Sequence, residues 1–358
     1  MKILGIETSC DETAASVVED GAKVLSNMVY TQIPLHRPYG GVVPEIASRA
    51  HVEKITEVVE AALEGAGGAG EIDAVAVTYG PGLAPALLVG LNAAKGLAMS
   101  LGVDLIPVNH IEAHLHTPFL REAPFDGEPP DPRDFMPALG LAVSGGHTNW
   151  IDMPRYGEYE TIGQTLDDAA GEAFDKAAKL LGLGYPGGPV VDRIAKECLA
   201  GERAGGMVAF PQGRPREGVS ALAGLPADLC VSFSGLKTAL LRHVEQHGGA
   251  AALAEAGEIP RIVASYQEAI VKAIADRTAR ALARRPRKAL IVGGGVSLNS
   301  RLRAELANVA ADAGVELLTA KPKFCGDNGA MIAALAFYRR AIRPQDALKL
   351  DVAPSLEI

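Results

Sequence analysis

Apolar and polar positions follow two rhythms along the chain, and the order of those rhythms nearly repeats. Three short runs of strand character, Lys2 to Glu7, Ala14 to Glu19 and Lys23 to Tyr30, are broken by polar and glycine turns. Val52, Ile55, Val58, Val59, Ala62 and Leu63 then recur at the spacing of one helical face, and Gly65 stands where a C-terminal cap belongs. A strand (Ala74 to Thr78), a glycine turn, a helix through Leu87 to Leu101 and a strand at Leu105 to Val108 complete a β-β-β-α-β-α-β order. The Pro- and Asp-rich stretch from Ala123 to Pro137 reads as a loop. A similar order then restarts with Leu139 to Val143, Asn149 to Met153, Tyr159 to Gly163 and a helix from Asp168 to Leu181. Helical and loop material from Val190 onward interrupts it before the strand Ala289 to Val292. A helix with Leu302, Leu306, Val309, Ala310 and Ala313 on one face, the strand Glu316 to Leu318 and a helix from Gly329 to Arg340 finish the chain. Two such lobes facing each other make a cleft, a usual place for ligands.

Composition narrows the class. With 358 residues and 48% hydrophobic content, the chain supports one large or two medium cores. Its 40 glycines and few aromatics suit the tight turns of an α/β architecture. A net charge of −9 works against unaided binding to a phosphate backbone, so a nucleic-acid partner needs local basic patches or a helper subunit. The short basic runs are Arg284-Arg285-Pro286-Arg287-Lys288 and Arg339-Arg340. Cys10, Cys198, Cys230 and Cys325 are too scattered for a zinc knuckle or a disulfide framework, and a reducing cytoplasm fits them. An early charge and the lack of an apolar run near the roughly 18 residues of a membrane span predict neither signal peptide nor anchor.

Several segments carry candidate chemistry. His110 and His114 stand at i, i+4, which on a helix puts both imidazoles on one face, able to share a metal ion or simply to be two surface histidines. A zinc protease needs a glutamate directly after the first histidine, whereas Glu112 is rotated about 200° from His110 on a helix. Glu7-Thr8-Ser9-Cys10-Asp11-Glu12-Thr13 gathers carboxylates and hydroxyls between two strands, either to contact phosphate and arrange a proton acceptor or as a polar hairpin. Ser144-Gly145-Gly146-His147-Thr148 allows close backbone approach to a ligand, or is a plain hairpin turn. Gly293-Gly294-Gly295-Val296-Ser297-Leu298-Asn299 leaves a strand and enters a helix, which predicts a nucleotide over that helix N-terminus, without the ending of a P-loop or the spacing of a dinucleotide fingerprint. Asp168, Glu172 and Asp175 share a helix face, as ribose ligands or a solvated stripe. Cys325-Gly326-Asp327-Asn328-Gly329 precedes the last helix and offers a carboxylate.

In this order, the segments resemble a bacterial member of the universal tRNA threonylcarbamoyladenosine transferase family. The resemblance runs through nearly the whole chain. It covers Gly5 to Thr13, Tyr39-Gly40-Gly41-Val42-Val43-Pro44-Glu45, the His110/His114 run, Val143 to Thr148, Asp167 to Lys176, Tyr185 to Gly188, Phe233-Ser234-Gly235-Leu236-Lys237 and the two C-terminal loops. It implies the two-lobed fold of the actin-like, sugar-kinase and chaperone-ATPase superfamily, with duplicated RNase H-like lobes at 1–133 and 134–326 and a closing helix in 327–358. It places metal ligands at His110, His114 and Asp327, a set suited to one Fe(2+), or to Zn(2+). Substrate-binding positions fall on Ala142, Val143, Ser144, Gly145, Gly146, Asp175, Gly188, Asp192 and Asn299, and Glu12 is the candidate proton acceptor. Gly326 replaces a threonine frequent in the family, and the loop Ala123 to Asp134 is longer than usual. The implied reaction moves an L-threonylcarbamoyl group from threonylcarbamoyl-AMP to the N6 amine of adenosine 37 in tRNAs reading codons that begin with A. Implied partners are a paralogous actin-fold protein, TsaB, and a small ATPase, TsaE. Docking on first-lobe helices through Ala93, Ala94, Leu97 and Ala98 competes with those residues being core. A small-molecule kinase of the same superfamily and a metallopeptidase are the alternative readings.

Overall fold

The computed structural model describes residues 1–125, 127–200, 206–215 and 224–358. They form two compact units, Met1–Asp134 with Ala320–Ile358, and Phe135–Thr319. The return to the first unit comes at Ala320, ahead of the expected 327, because Lys321 and Lys323 already pair with Glu122 there.

The first unit is built on β1 (Lys2–Glu7), β2 (Glu12–Glu19), β3 (Lys23–Thr31), β4 (Ala74–Gly80) and β5 (Asp104–Asn109), in the order β3-β2-β1-β4-β5. β1, β2 and β3 are an antiparallel meander, while β1, β4 and β5 run parallel. The second unit repeats this arrangement with β6 (Ala138–Val143), β7 (Thr148–Arg155), β8 (Glu158–Gln164), β9 (Ala289–Gly293) and β10 (Glu316–Thr319), in the order β10-β9-β6-β7-β8. Starting from β6, each pairing has the sense of its counterpart in the first sheet. This is the duplicated α/β arrangement predicted from the order of elements in the sequence.

Every residue of β1 after Lys2 is buried, as expected of a strand covered on both faces. On one face Leu4 and Ile6 meet Ile55 and Val58 of α1 (Pro44–Glu64) and Leu91 and Ala94 of α2 (Ala84–Leu101). The α2 helix is long and apolar enough to span a membrane by length and composition, contrary to the expectation from the sequence. Its Ala86, Leu87, Gly90, Leu91, Ala94 and Ala98 are instead buried within the first unit, and Lys95 Nζ donates to the Leu350 carbonyl at 2.6 Å.

On the other face of β1 lies a short apolar helix, labelled α9 (Gly329–Ala336) after those of the second unit, with every residue buried. It ends well short of the predicted Arg340, and the turn after it carries Arg339 back to an ion pair with Glu112. Between α9 and β1 there is no room for side chains: a Cβ on Gly5 would lie 2.3 Å from the Gly329 carbonyl, and one on Gly329 would lie 2.6 Å from the Gly5 carbonyl. Gly5→Ala or Gly329→Ala should therefore force strand and helix apart and cost about 1–3 kcal/mol, as overpacking does. Denaturant unfolding of the two variants checks this, with an unchanged midpoint as the contrary result.

Candidate metal centre and glycine-loop site

In the first unit, β5 ends at Asn109, whose Oδ1 accepts from the Ile111 and Glu112 N–H groups at 2.9 and 3.2 Å. This N-cap starts the short helix α3 (His110–His116), so His110 opens the helix and His114 lies one turn on. The rings stand edge to face, with centroids 4.6 Å apart. Asp327 arrives from the loop before α9, which is fixed by Asn328. That residue caps Met331 N–H at 3.0 Å and donates to the Gly326 carbonyl at 2.7 Å. Asp327 Oδ1 lies 3.7 Å from His110 Nε2 and 3.1 Å from His114 Nε2.

One ligand atom from each of the three residues falls within 4.8 Å of the others. His114 is 2% exposed, yet neither ring nitrogen satisfies hydrogen-bond geometry, a costly state for a buried polar group that a metal ion would relieve. His110 presents the complementary case. Its Nδ1 lies 3.0 Å from Glu7 Oε2, so the carboxylate fixes the tautomer that donates from Nδ1 and turns the Nε2 lone pair toward Asp327 and His114. Glu7 is itself fully buried and accepts from the Thr78 hydroxyl at 2.5 Å and from Ser9 N–H. Burial alone would raise the Glu7 carboxyl, but the His110 charge and hydrogen bond outweigh it and hold Glu7 below the usual range. Without a metal, burial would lower His110, but Glu7 and Asp327 raise it to about 9. The donor set, the unsatisfied His114 and the carboxylate-oriented His110 fit a divalent ion.

Glu112 does not join this group. It is buried in an ion pair with Arg339, as its rotation away from His110 predicts. Glu12 opens β2 opposite Thr31, whose hydroxyl donates to it at 3.2 Å. Burial, followed by the charges of Asp11 and Asp327, pushes the Glu12 carboxyl well above the usual range.

The positions expected to bind substrate lie in the second unit around the ends of β6 and β9. Ala142 and Val143 are buried at the end of β6. Ser144 closes the hairpin to β7, donating from its N–H to the His147 carbonyl at 2.8 Å and accepting His147 N–H on Oγ at 3.2 Å. Gly145 and Gly146 face open space where a side chain would project. Four helices converge here: α4 (Ala170–Leu180), α5 (Gly187–Ala200), α7 (Ile259–Arg284) and α8 (Ser300–Ala313), with α6 (Ser234–Gln246) between them in the chain. A Cβ on Gly171 of α4 would come within 2.7 Å of Gly145 Cα, and Gly294, at φ 97°, brings the loop after β9 to the Val143 carbonyl. Asp175 accepts Gly187 N–H at 2.6 Å beside the open Gly188.

At the start of α8 the structure changes the reading of the glycine-rich loop. Asp192 accepts from Ser300 N–H at 3.1 Å and from its hydroxyl at 2.9 Å. Asn299 caps Leu302 N–H at 2.9 Å and donates to Gln267 Oε1 at 2.8 Å. Two helix-end donors are thus already taken, and a phosphate over this N-terminus would compete with them and face the Asp192 carboxylate. The proposed acidic stripe also separates: Asp168 precedes α4 and, with Glu172, pairs with Lys176, while Asp175 turns to α5.

Glu7, Gln267, Asn328 and Arg339 were not singled out for these positioning contacts in the sequence. Glu7 opens the hairpin between β1 and β2, whereas its partner His110 stands at the β5-to-α3 junction, a pairing that no local pattern reveals.

A family model described as tRNA N6-adenosine threonylcarbamoyltransferase matches residues 23–334. A protein of that name from Anaeromyxobacter sp. (strain Fw109-5) is 50% identical over 335 residues, covering 93% of this chain and 92% of its own length. Another, from Geobacter sp. (strain M21), is 48% identical over 355 residues, covering 99% and 96%. Among solved structures, T. kodakarensis HypF superposes with a TM-score of 0.55 at 16% identity, over 94% of this chain and 47% of that one. The Acidaminococcus fermentans (R)-2-hydroxyglutaryl-CoA dehydratase component A gives 0.51 at 15% identity, over 98% and 100%. At such identities the two structures speak for the fold alone.

Glu7→Gln keeps the shape of the His110 partner but removes its charge, and should weaken metal binding about 10- to 100-fold. His114→Ala should abolish stoichiometric binding. Titration of metal-stripped protein with Fe(2+) and Zn(2+) measures both, and wild-type affinity in either variant would contradict the assignment.

Proposed function

The chain belongs to the tRNA N6-adenosine threonylcarbamoyltransferase family, and we propose that it transfers the L-threonylcarbamoyl group of threonylcarbamoyl-AMP to the N6 amine of adenosine 37 in tRNAs reading codons that begin with A. The observation that carries the site assignment is the His110–His114–Asp327 constellation, backed by Glu7, in a chain whose family performs this modification. The amine attacks the carbonyl carbon, the bond to AMP breaks, and the amine gives up a proton. The site must therefore orient the donor, stabilise the departing phosphate and accept that proton. A divalent ion held by His110, His114 and Asp327, Fe(2+) first and Zn(2+) second, supplies Lewis-acid polarisation of a substrate oxygen.

The remaining roles follow from the chain's own geometry. The exposed backbone of Gly145 and Gly146 suits phosphate oxygens better than the already capped start of α8. Asp175 and Asp192 suit ribose, because carboxylates accept hydroxyl donors but repel phosphate, and Asn299, bonded to Leu302 N–H and Gln267, holds the loop that lies against the base. Glu12, raised by burial and by neighbouring carboxylates, is a stronger base than an ordinary glutamate once ionised. The buried Glu112–Arg339 pair leaves the metallopeptidase reading without the glutamate base it would need on α3. A kinase reading leaves the two-histidine site unexplained.

Delivery of tRNA requires help. In the basic run 284–288, Arg285 and Arg287 both pair with Asp152, at 2.7 and 2.5 Å, and Arg284 pairs with Asp228 at 2.7 Å. Little of that run's charge remains for phosphates. TsaB and TsaE are the partners that would supply the rest. Ala94 and Ala98 are core, so the docking face on α2 moves to the exposed Leu88 and Met99.

Two outcomes are expected in reconstitution with threonylcarbamoyl-AMP and tRNA. The isolated chain should be nearly inactive until TsaB and TsaE are added, with tRNA binding that falls steeply as salt rises; multi-turnover transfer by the chain alone would contradict this. Asp175→Ala should raise the KM for the adenylate donor by an amount equivalent to about 1.5–3 kcal/mol, the worth of a charge-assisted hydrogen bond, Asn299→Ala by about 0.5–1.5 kcal/mol, the worth of a neutral one, and both should leave that for tRNA unchanged. The reverse pattern would overturn the placement of the donor.

A further inference from the structure

The segment joining β3 to α1, residues 32–43, has no role in the chemistry described, yet it is anchored firmly beside Glu12. The Val43 N–H donates to His36 Nδ1 at 3.2 Å, and His36 Nε2 lies 3.2 Å from Gln32 Oε1. Gln32 Nε2 reaches His51 at 3.3 Å, and His51 Nε2 donates to the Cys10 carbonyl at 2.9 Å. His36, Gln32 and His51 are fully buried. The segment is also tied to the turn directly, since Gln32 N–H donates to the Asp11 carbonyl at 3.0 Å. A relay of buried side chains thus runs from Val43 to the Cys10–Glu12 turn.

This relay holds in place an outward face that combines exposed apolar, aromatic and cationic side chains. Tyr39 is 56% exposed and Leu35 41% exposed. Arg37, between them, and Arg49, on α1, are exposed and make no ion pair among the described residues. Arg133, Arg155, Arg193 and Arg280, also solvent-facing, each have a carboxylate partner. In a chain of net charge −9, an uncompensated arginine two residues before an exposed aromatic ring, with a second on the helix that follows, matches the needs of unpaired RNA: cations for phosphates and a flat ring on which an unstacked base can lie.

We propose that the Leu35–Arg37–Tyr39 face, with Arg49, is an RNA-contacting platform that receives the unpaired anticodon loop next to the target adenosine. This rests on the transfer reaction proposed above. It adds that the platform's fixed distance from Glu12 sets which loop nucleotide reaches the site.

The test uses the full chain with its partner proteins, a tRNA and a synthetic anticodon stem-loop as RNA probes, and threonylcarbamoyl-AMP as the second substrate. Tyr39→Ala should raise the KM for both RNAs about fivefold or more, the loss expected from one base–aromatic stack, while Tyr39→Phe restores it to within about twofold of wild type. Arg37→Ala should reduce the magnitude of the slope of log affinity against log salt by about 0.7 to 0.9, one phosphate contact. The donor KM and the melting temperature should not move. If wild-type protein binds and modifies RNA but all three variants match it, the platform is overturned and the reaction stands. If wild-type protein neither binds nor modifies RNA, both fall. If the variants lose co-elution with a partner protein at unchanged RNA KM, the face is a protein-docking surface and the proposal is wrong.

Discussion

The close backbone contact between Gly5 and Gly329 is the constraint on which the proposed metal centre depends. With hydrogens in place of side chains, α9 lies directly on β1, and the loop preceding the helix is brought to the end of that strand. That loop carries Asp327, and the end of the strand carries Glu7. The two carboxylates then act on the same histidine from opposite sides. Glu7 faces Nδ1 and Asp327 lies near Nε2. A larger residue at either glycine would separate the histidine pair from its third ligand without touching any ligand.

The duplication explains how one topology serves two chemistries. In each unit the first strand of the sheet runs into a hairpin. After β1 the hairpin buries Glu7 and Ser9 against His110, building the support of a metal site. After β6 the corresponding hairpin leaves Gly145 and Gly146 open, with α4 drawn against it by Gly171. Polar side chains that orient a ligand occupy one turn, and free backbone occupies the other. This division accords with a reaction that needs both a polarised carbonyl and a cradle for a departing nucleotide.

Much of this was legible in the sequence, for physical reasons that differ by element. All ten strands lie within two residues of their predicted bounds, because short apolar runs bounded by polar and glycine turns are a local signal. The histidine pair was legible because helical spacing is local as well. The start of α1 was not: Pro44 and Glu45 form its first turn and the buried face begins at Ala47, well before the apolar spacing predicted from Val52, which is itself exposed. Tertiary partners were hidden too. Nothing near Glu7 announces His110, and nothing near Glu112 announces Arg339. The alanines of α2 had two readings until packing placed Ala94 and Ala98 in the core. At α8 the glycine-rich approach suggested free N–H groups, but Asn299, at the end of that approach, and Asp192, from a distant helix, occupy two of them.

The most direct test of the account is nucleoside analysis of tRNA from cells depleted of this chain. Total tRNA would be digested to nucleosides and quantified by liquid chromatography and mass spectrometry, with and without a plasmid supplying wild-type or Asp327→Ala protein. The account predicts that threonylcarbamoyladenosine disappears on depletion, returns with the wild type and stays absent with the variant. Undiminished threonylcarbamoyladenosine in the depleted cells would contradict it.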